Sequence, residues 1–145
     1  MTGVVVLGVA LLASVAVAIV MRRRNGRFGD GDTPASDDHR ALDAGVLGAP
    51  LGRDVTLVQF SSSFCAPCRA TRVLLTDVAS SLDGVETIEI DAESHLDLVR
   101  ELSIMRTPTV LVLDRRGVVR TRASGLPRRD QVLAAIAAAH PDSES

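Results

Sequence analysis

Residues 57–75 read LVQFSSSFCAPCRATRVLL, and this stretch decides the fold. An apolar run ends in three serines, and then come the only two cysteines of the chain, Cys65 and Cys68, with two residues between them. After the second cysteine, leucine and valine recur at helical spacing. The stretch therefore predicts a buried strand, a short loop and the start of a helix, with both thiols at the junction.

Two cysteines cannot form the disulfide framework of a small secreted scaffold. They can only close on each other, and so short a loop would stabilise the fold by roughly 2 kcal/mol on the chain-entropy model. A purely structural role is a poor explanation for the pair, and its spacing favours thiol chemistry.

The chain from residue 41 onward predicts an alternating α/β domain in the order β-α-β-α-β-β-α. The strands are expected at residues 55–60, 85–90, 109–113 and 118–123. The first helix follows Cys68, Ser94 is expected to cap the second, and Pro127 is expected in the first turn of the third. The inward face of the third helix is expected to carry Val132, Leu133 and Ile136. This order predicts a mixed sheet with helices on both faces.

Several spaced features resemble the thioredoxin family. Where thioredoxins carry Trp-Cys-Gly-Pro-Cys, this chain has Phe64-Cys65-Ala66-Pro67-Cys68, while Thr107-Pro108-Thr109 matches the cis-proline loop, Ile90-Asp91 the end of the second strand and Gly125 the glycine after the hairpin. The resemblance runs from about residue 55 to residue 136. It implies the thioredoxin fold, a central mixed sheet of about four strands flanked by helices.

The resemblance also implies different roles for the two cysteines of the motif. Cys65 is expected to be the nucleophile at the helix N-terminus, where backbone N–H groups favour the thiolate, and Cys68 the resolving cysteine. Pro108 is expected to be the cis-proline. Substrate contacts are expected from four residues around the motif: Phe64, Ala66, Pro67 and Thr107.

Two departures from the family pattern bear on the chemistry. Thioredoxins usually carry a buried Asp where this chain has Gln59, and an accompanying Lys where it has Thr87. The amide of Gln59 cannot take a proton, so the proton acceptor for Cys68 is unassigned and slow resolution of the mixed disulfide is expected. Thr107 replaces the usual Ile, and its hydroxyl is placed to donate a hydrogen bond to the Cys65 thiolate.

Residues 3–21, GVVVLGVALLASVAVAIVM, carry no charge. As a helix they would span about 28 Å, against about 30 Å of hydrocarbon. A cleaved signal peptide would carry its positive charge before the apolar core, whereas here Arg22, Arg23 and Arg24 follow it. We therefore predict a single-pass membrane helix, with the N-terminus outside and the domain in the cytoplasm by the positive-inside rule.

The segment after the apolar stretch is rich in Gly, Asp and Ser and has little apolar surface to bury. The predicted organisation is a membrane helix at 1–21, a flexible linker at 22–40, a thioredoxin-like domain at 41–141 and a tail at 142–145. The net charge is -2 and all 16 basic residues are Arg scattered along the chain, so no nucleic-acid partner is expected.

The sequence predicts a membrane-tethered reductase of protein disulfides that needs no cofactor beyond its own Cys65–Cys68 disulfide. Its expected partners are protein disulfides, an unidentified upstream reductase, and the membrane through residues 3–21. No metal is expected, since His39, His95 and His140 lack ligand spacing. Two alternatives stay open: an outward-facing redox protein for cytochrome maturation or disulfide isomerisation, and a binding or assembly module without turnover.

Overall fold

The computed structural model describes residues 2–29 and 41–140 of the 145-residue chain. Its elements are α1 (Thr2–Arg24), β1 (Phe28–Gly29), α2 (Ala44–Leu47), β2 (Val55–Ser61), α3 (Ala66–Ser80), β3 (Val85–Asp91), α4 (Leu96–Glu101), β4 (Thr109–Asp114), β5 (Val119–Ser124) and α5 (Arg129–Ala139). The predicted order of strands and helices is confirmed, and two short elements, β1 and α2, are added to it.

The strands form one mixed sheet in the order β1-β5-β4-β2-β3. β2 pairs with β3 in parallel, and the other neighbours pair antiparallel. All seven residues of β2 are buried, since the strand is central and helices cover both of its faces. The thioredoxin fold expected from the resemblance is present, with a fifth strand at the edge.

The hydrophobic core lies on both faces of this sheet. On one face, Leu57 of β2 belongs to the cluster formed with Val78 of α3 and Ile136 of α5. On the other face, Phe60 packs in the cluster that contains Leu102, which follows α4. Each such fully buried side chain contributes on the order of 1.5–3 kcal/mol, so the layers hold the end of β2 and the start of α3 in fixed positions.

The starts of the last two helices differ from the predictions. The Ser94 hydroxyl does not cap α4; it donates to Asp91 Oδ2 at 2.5 Å, and His95 stands at the N-cap without a side-chain bond. Pro127 lies one residue before the N-cap of α5. That cap is Arg128, whose backbone N–H donates to Gln131 Oε1 at 3.0 Å.

The buried face of α5 is also rotated from the expected one. Val132 and Ile136 are buried as predicted, but Leu133 is 37% exposed, so its assignment to the inward face is wrong. Ala135 and Ala139 are buried instead. The 3.6-residue period allows either choice, and small alanines suit the side of the helix that lies close to the sheet.

The N-terminal helix is longer than predicted, and ordered structure follows it directly. α1 continues to Arg24, and β1 then pairs with β5 through Phe28 opposite Ala123. Residues 22–29 are therefore not a linker, and the rest of that expected linker, residues 30–40, lies outside the described residues, as does the expected tail. Within Gly3–Arg24 the most apolar 18-residue window has a mean hydropathy of 3.0 and none of that window is buried, so α1 has the length and composition of a membrane anchor or a signal sequence.

The joint between α1 and the domain is made by two residues. The backbone N–H of Gly26 donates to the carbonyl oxygen of Ser124 at 2.7 Å, and the side chain of Asn25 accepts a hydrogen bond from the guanidinium of Arg106. Gly26 has a φ of 72°, and a Cβ there would overlap the carbonyl oxygen of Leu126. Only glycine fits this joint.

Candidate active site

The two cysteines meet at the junction of β2 and α3. Cys65 is the N-cap residue of α3, and Cys65 and Cys68 form a disulfide with an S–S distance of 2.05 Å. The Sγ atom of Cys65 accepts a hydrogen bond from the backbone N–H of Cys68 at 3.2 Å. Cys65 is half-buried, whereas Cys68 is only 2% exposed. An incoming reactant therefore reaches Cys65 first.

The position of Cys65 favours an anionic sulfur after reduction. The first N–H groups of a helix have no partner within the helix, and the helix dipole is positive at this end. The Cys68 N–H already points at the Cys65 sulfur. Both effects stabilise a thiolate on Cys65, which is the species that attacks a disulfide.

The residues beside the cysteines form an open surface. Phe64 has a φ of 58° and is fully exposed, at 104% of the reference area. Ala66 and Pro67 occupy the first two positions of α3 and are exposed, and the missing N–H of Pro67 costs little there. These three residues, predicted to contact substrate, surround the accessible sulfur.

The loop before β4 lies against the cysteine loop. The Thr107–Pro108 peptide bond is cis. The hydroxyls of Thr107 and Ser62 are 2.8 Å apart and share a hydrogen bond, which ties the two loops together. In this oxidised state Thr107 therefore bonds Ser62, and not the Cys65 sulfur as the sequence suggested.

Gln59 lies beneath the cysteines and is only 2% exposed. Its side-chain nitrogen Nε2 donates to the carbonyl oxygen of Cys68 at 2.8 Å. This bond satisfies a buried donor and fixes the start of α3 against the sheet. It supplies no group that could take a proton from Cys68.

An ion pair that the sequence analysis missed lies on the same side of the sheet. Glu89 Oε1 accepts a hydrogen bond from the Ser61 hydroxyl at 2.7 Å and from Arg72 Nη2 at 2.5 Å. The hydrogen bond from Arg72 lowers the pKa of Glu89, and the Ser61 bond adds to this against the opposing effect of burial. The sequence does contain a signal for this ion pair. Arg72 lies one helical turn after Cys68, and Glu89 lies on the strand expected beside β2, where it pairs with Gln59.

A second missed residue, Glu93, holds the loop before the cysteines. Its carboxylate accepts the backbone N–H and the hydroxyl of Ser63, both at 3.1 Å. Glu93 lies in the loop between β3 and α4. The contact spans thirty residues of chain, so no local pattern indicates it.

Local hydrogen bonds hold Asp91 and His95 near this loop. The pKa of Asp91 is lowered by the Ser94 hydroxyl and then by the backbone N–H of Glu93. His95 Nδ1 lies 3.0 Å from the carbonyl oxygen of Asp91. Across residues 2–29 and 41–140, no three His, Cys, Asp or Glu side chains come together in a way that could hold a metal ion.

Comparison with known proteins identifies the family. The thioredoxin family model matches residues 48–138, which is more than half of the chain, and the chain belongs to the thioredoxin family. The human thioredoxin domain-containing protein 2 is 34% identical over 58 residues, covering 40% of this chain and 10% of that protein. Thioredoxin H2 of Arabidopsis thaliana is 27% identical over 59 residues, covering 41% of this chain and 44% of that protein. The chain thus spans less than half the length of both curated relatives.

Solved structures agree with this assignment. The crystal structure of the short form of thioredoxin f from spinach chloroplast is 27% identical, with a TM-score of 0.53, covering 61% of this chain and 78% of that one. The family model begins at residue 48, so α1 lies outside that match. The fold and the spacing of the cysteine pair are those of the thioredoxin family.

Proposed function

We propose that this protein is a membrane-tethered reductase of protein disulfides that acts through Cys65 and Cys68. The observation that carries the proposal is the placement of the Cys65 sulfur. It caps α3, accepts the Cys68 N–H at 3.2 Å and is the more exposed of the two sulfurs, with Cys68 buried one turn behind it. A nucleophile and a resolving thiol need this order of exposure.

The exchange runs in two steps from the reduced protein. The Cys65 thiolate attacks one sulfur of a target disulfide; that S–S bond breaks, a mixed disulfide forms, and the released target thiolate takes a proton. Cys68 then loses its proton and attacks the Cys65 sulfur. The Cys65–Cys68 bond forms, the second target thiol leaves, and two electrons have passed to the target.

The exposed rim around Cys65 is the proposed substrate surface. Phe64 and Pro67 offer apolar contacts beside the reactive sulfur. The backbone of Thr107 is the proposed partner of an extended target segment, since this loop is tied to the cysteine loop through Ser62. Backbone pairing of this kind accepts many sequences.

The proposed anchor is α1, through residues 3–21. Arg22, Arg23 and Arg24 at its C-terminal end favour a cytoplasmic position for that end and for the domain after it. A separate upstream reductase must then return two electrons to the Cys65–Cys68 disulfide after each turnover. No bound cofactor enters the exchange, because the cysteine pair carries the electrons.

The test uses the full-length protein in detergent with a protein disulfide as substrate. The wild type is expected to reduce it catalytically, Cys65→Ser to be inactive, and Cys68→Ser to accumulate a mixed disulfide that resists further turnover. A reduction potential of about -270 mV supports a reductase, whereas about -180 to -120 mV would support oxidase or isomerase work. If Cys68→Ser traps no target and the wild type does not cycle, the proposal is wrong.

A further inference from the structure

The domain is joined to α1 without a long tether. Residues 25–27 alone separate the end of α1 from β1. Within them, Gly26 N–H donates to the Ser124 carbonyl at 2.7 Å and Asn25 bonds Arg106, which also donates to the Ser124 carbonyl at 3.1 Å. These bonds fix the domain directly at the end of α1.

This joint lies at the end of the sheet that carries the disulfide. Ser124 pairs with Thr109, and Thr109 pairs with Phe60, the residue before the last of β2. From Gly26 to Phe60 is three strand spacings, or about 14 Å. The N–H of Gly125 also donates to the carbonyl oxygen of Pro108 at 2.7 Å, so the joint and the cis-proline loop share a hydrogen-bonded neighbourhood.

α1 leaves the domain at this end and does not run back along it. Residues 3–25 are all exposed. A cavity of about 750 Å³ at the joint is lined by the last turns of α1, including Ile19 and Arg22, and by the start of α5, Arg128 and Gln131. Only the C-terminal end of α1 therefore meets the domain.

The end of the sheet that holds the joint carries exposed apolar side chains and arginines. Phe64 and Met105 are 104% and 89% exposed, and Leu96 and Leu126 are partly exposed at the same end of the sheet. Arginines near the joint include Arg22, Arg23, Arg24, Arg27, Arg106 and Arg128, of which Arg128 is paired with Asp130 at 2.9 Å. Apolar tips among arginines suit the headgroup region of a bilayer that contains anionic lipids.

We infer that the domain is held with its Cys65–Cys68 end toward the bilayer, and that its substrates are disulfides of membrane-anchored proteins close to the bilayer surface. The inference rests on the proposed function for both the anchor and the exchange chemistry. It specifies which end of the domain faces the bilayer and how far from the bilayer a disulfide can be reduced. The cysteine loop follows the end of β2, which lies about 14 Å across the sheet from the joint, so its sulfurs reach a disulfide near the headgroups and not one far above the surface.

Orientation is tested without using the redox activity. The full chain, with Cys65→Ser and Cys68→Ser, carries a fluorophore at Met105→Cys or, as the matched control, at Arg116→Cys in the turn at the opposite end of the sheet. Both are placed in lipid nanodiscs with spin-labelled headgroups. The probe at 105 is expected to lose most of its emission and the probe at 116 to keep its own. Equal quenching, or stronger quenching at 116, overturns the inference.

Reach is tested with two synthetic substrates in the same nanodiscs. Each has one membrane-spanning helix with a disulfide either next to the helix end or beyond a helical spacer of about 40 residues, roughly 60 Å away. The wild type is expected to reduce the near disulfide at least about tenfold faster, because of its higher effective concentration. Equal rates for the two substrates would overturn the inference.

Two insertions distinguish the effect of the fixed joint on substrate preference from the effect of membrane anchoring alone. About 12 Gly and Ser residues between residues 24 and 25 give α1 a flexible tether of roughly 20 Å, which is expected to abolish the preference. The same insertion between residues 34 and 35 leaves the joint intact and is expected to preserve it. A preference that survives the first insertion contradicts a fixed orientation. If neither anchored disulfide nor a soluble disulfide peptide is reduced, the proposed function has failed, and quenching at 105 still decides the orientation.

Discussion

The side-chain nitrogen of Gln59 donates a hydrogen bond to the carbonyl oxygen of Cys68 at 2.8 Å. The donor is fully buried beneath the disulfide, at the position where thioredoxins usually carry an Asp. A carboxylate there can accept a proton but cannot donate to a carbonyl, whereas an amide donates and cannot take the proton. Gln59 therefore contributes to the stability of the helix start and not to proton removal from Cys68.

Gln59→Asp is expected to lower the stability of the domain and to speed release of the mixed disulfide. The free energy of unfolding should fall by about 1–3 kcal/mol, since the Cys68 carbonyl loses its donor. Release of the mixed disulfide should become roughly ten- to a hundredfold faster, because a general base now lies under Cys68. Stopped-flow measurement of target release gives the rate and urea unfolding gives the stability.

Gln59→Asn is the matched control for this change. It has the length of Asp and no proton acceptor, so it should lose stability without faster release. If both variants speed release equally, loosening of the helix start and not proton transfer is the cause.

The Ser62–Thr107 hydrogen bond predicts a second effect. Ser62→Ala removes the partner of the Thr107 hydroxyl, which can then turn to the Cys65 thiolate in the reduced protein. The pKa of Cys65 is expected to fall, because a hydrogen bond from the Thr107 hydroxyl favours the charged thiolate over the thiol. Titration of the thiolate absorbance measures it. Adding Thr107→Val to Ser62→Ala should restore the pKa of Cys65. If the pKa stays low in the double variant, a donor other than Thr107 stabilises the thiolate.

The ion pair of Glu89 with Arg72 predicts an acid-dependent loss of stability. Hydrogen bonding from Arg72 places the pKa of Glu89 below its ordinary value of 4.5, so its contribution is present above that value and is lost as the pH falls through the lower, folded value. Glu89→Gln should be less stable than the wild type near neutral pH. The difference should shrink as the pH falls below about 4.5. Urea midpoints across this range test it, and two parallel curves would contradict it.

The rotated face of α5 predicts unequal costs for two changes on one helix. Ile136→Ala empties a buried site and should cost about 2–5 kcal/mol, whereas Leu133→Ala removes a partly exposed side chain and should cost under about 1 kcal/mol. Thermal or urea unfolding of both variants compares them directly. Equal losses in the free energy of unfolding would mean that Leu133 is buried in the core as Ile136 is.

The main strands and helices were predictable because each carries a strong local signal. β2 is a short run dominated by apolar and β-branched residues, and the turn from Asp114 to Gly117 has Asp first and Gly last, with the Gly117 N–H donating to the Asp114 carbonyl at 2.9 Å. The helix after the cysteines has its apolar residues at helical spacing. In such elements local preference and burial agree.

The rest depended on contacts that no local pattern contains. β1 has only two residues, and it forms because α1 delivers it to the edge of β5. The contact of Glu93 with Ser63 joins distant loops, and the hydroxyl of Ser94 preferred the carboxylate of Asp91 to the helix end. These details belong to tertiary packing, which selects among several local options of similar energy.

The two residues of β1 also determine where a soluble form of the domain should begin. Phe28 and Gly29 occupy the outer edge of β5 opposite Ala123 and Arg122. A fragment starting at residue 41 bares that edge, and its unpaired N–H and C=O groups are a template for a second molecule. Such a fragment is expected to self-associate with rising concentration. A fragment starting at residue 25 keeps the edge covered and should stay monomeric, which makes it the better starting point for crystallisation.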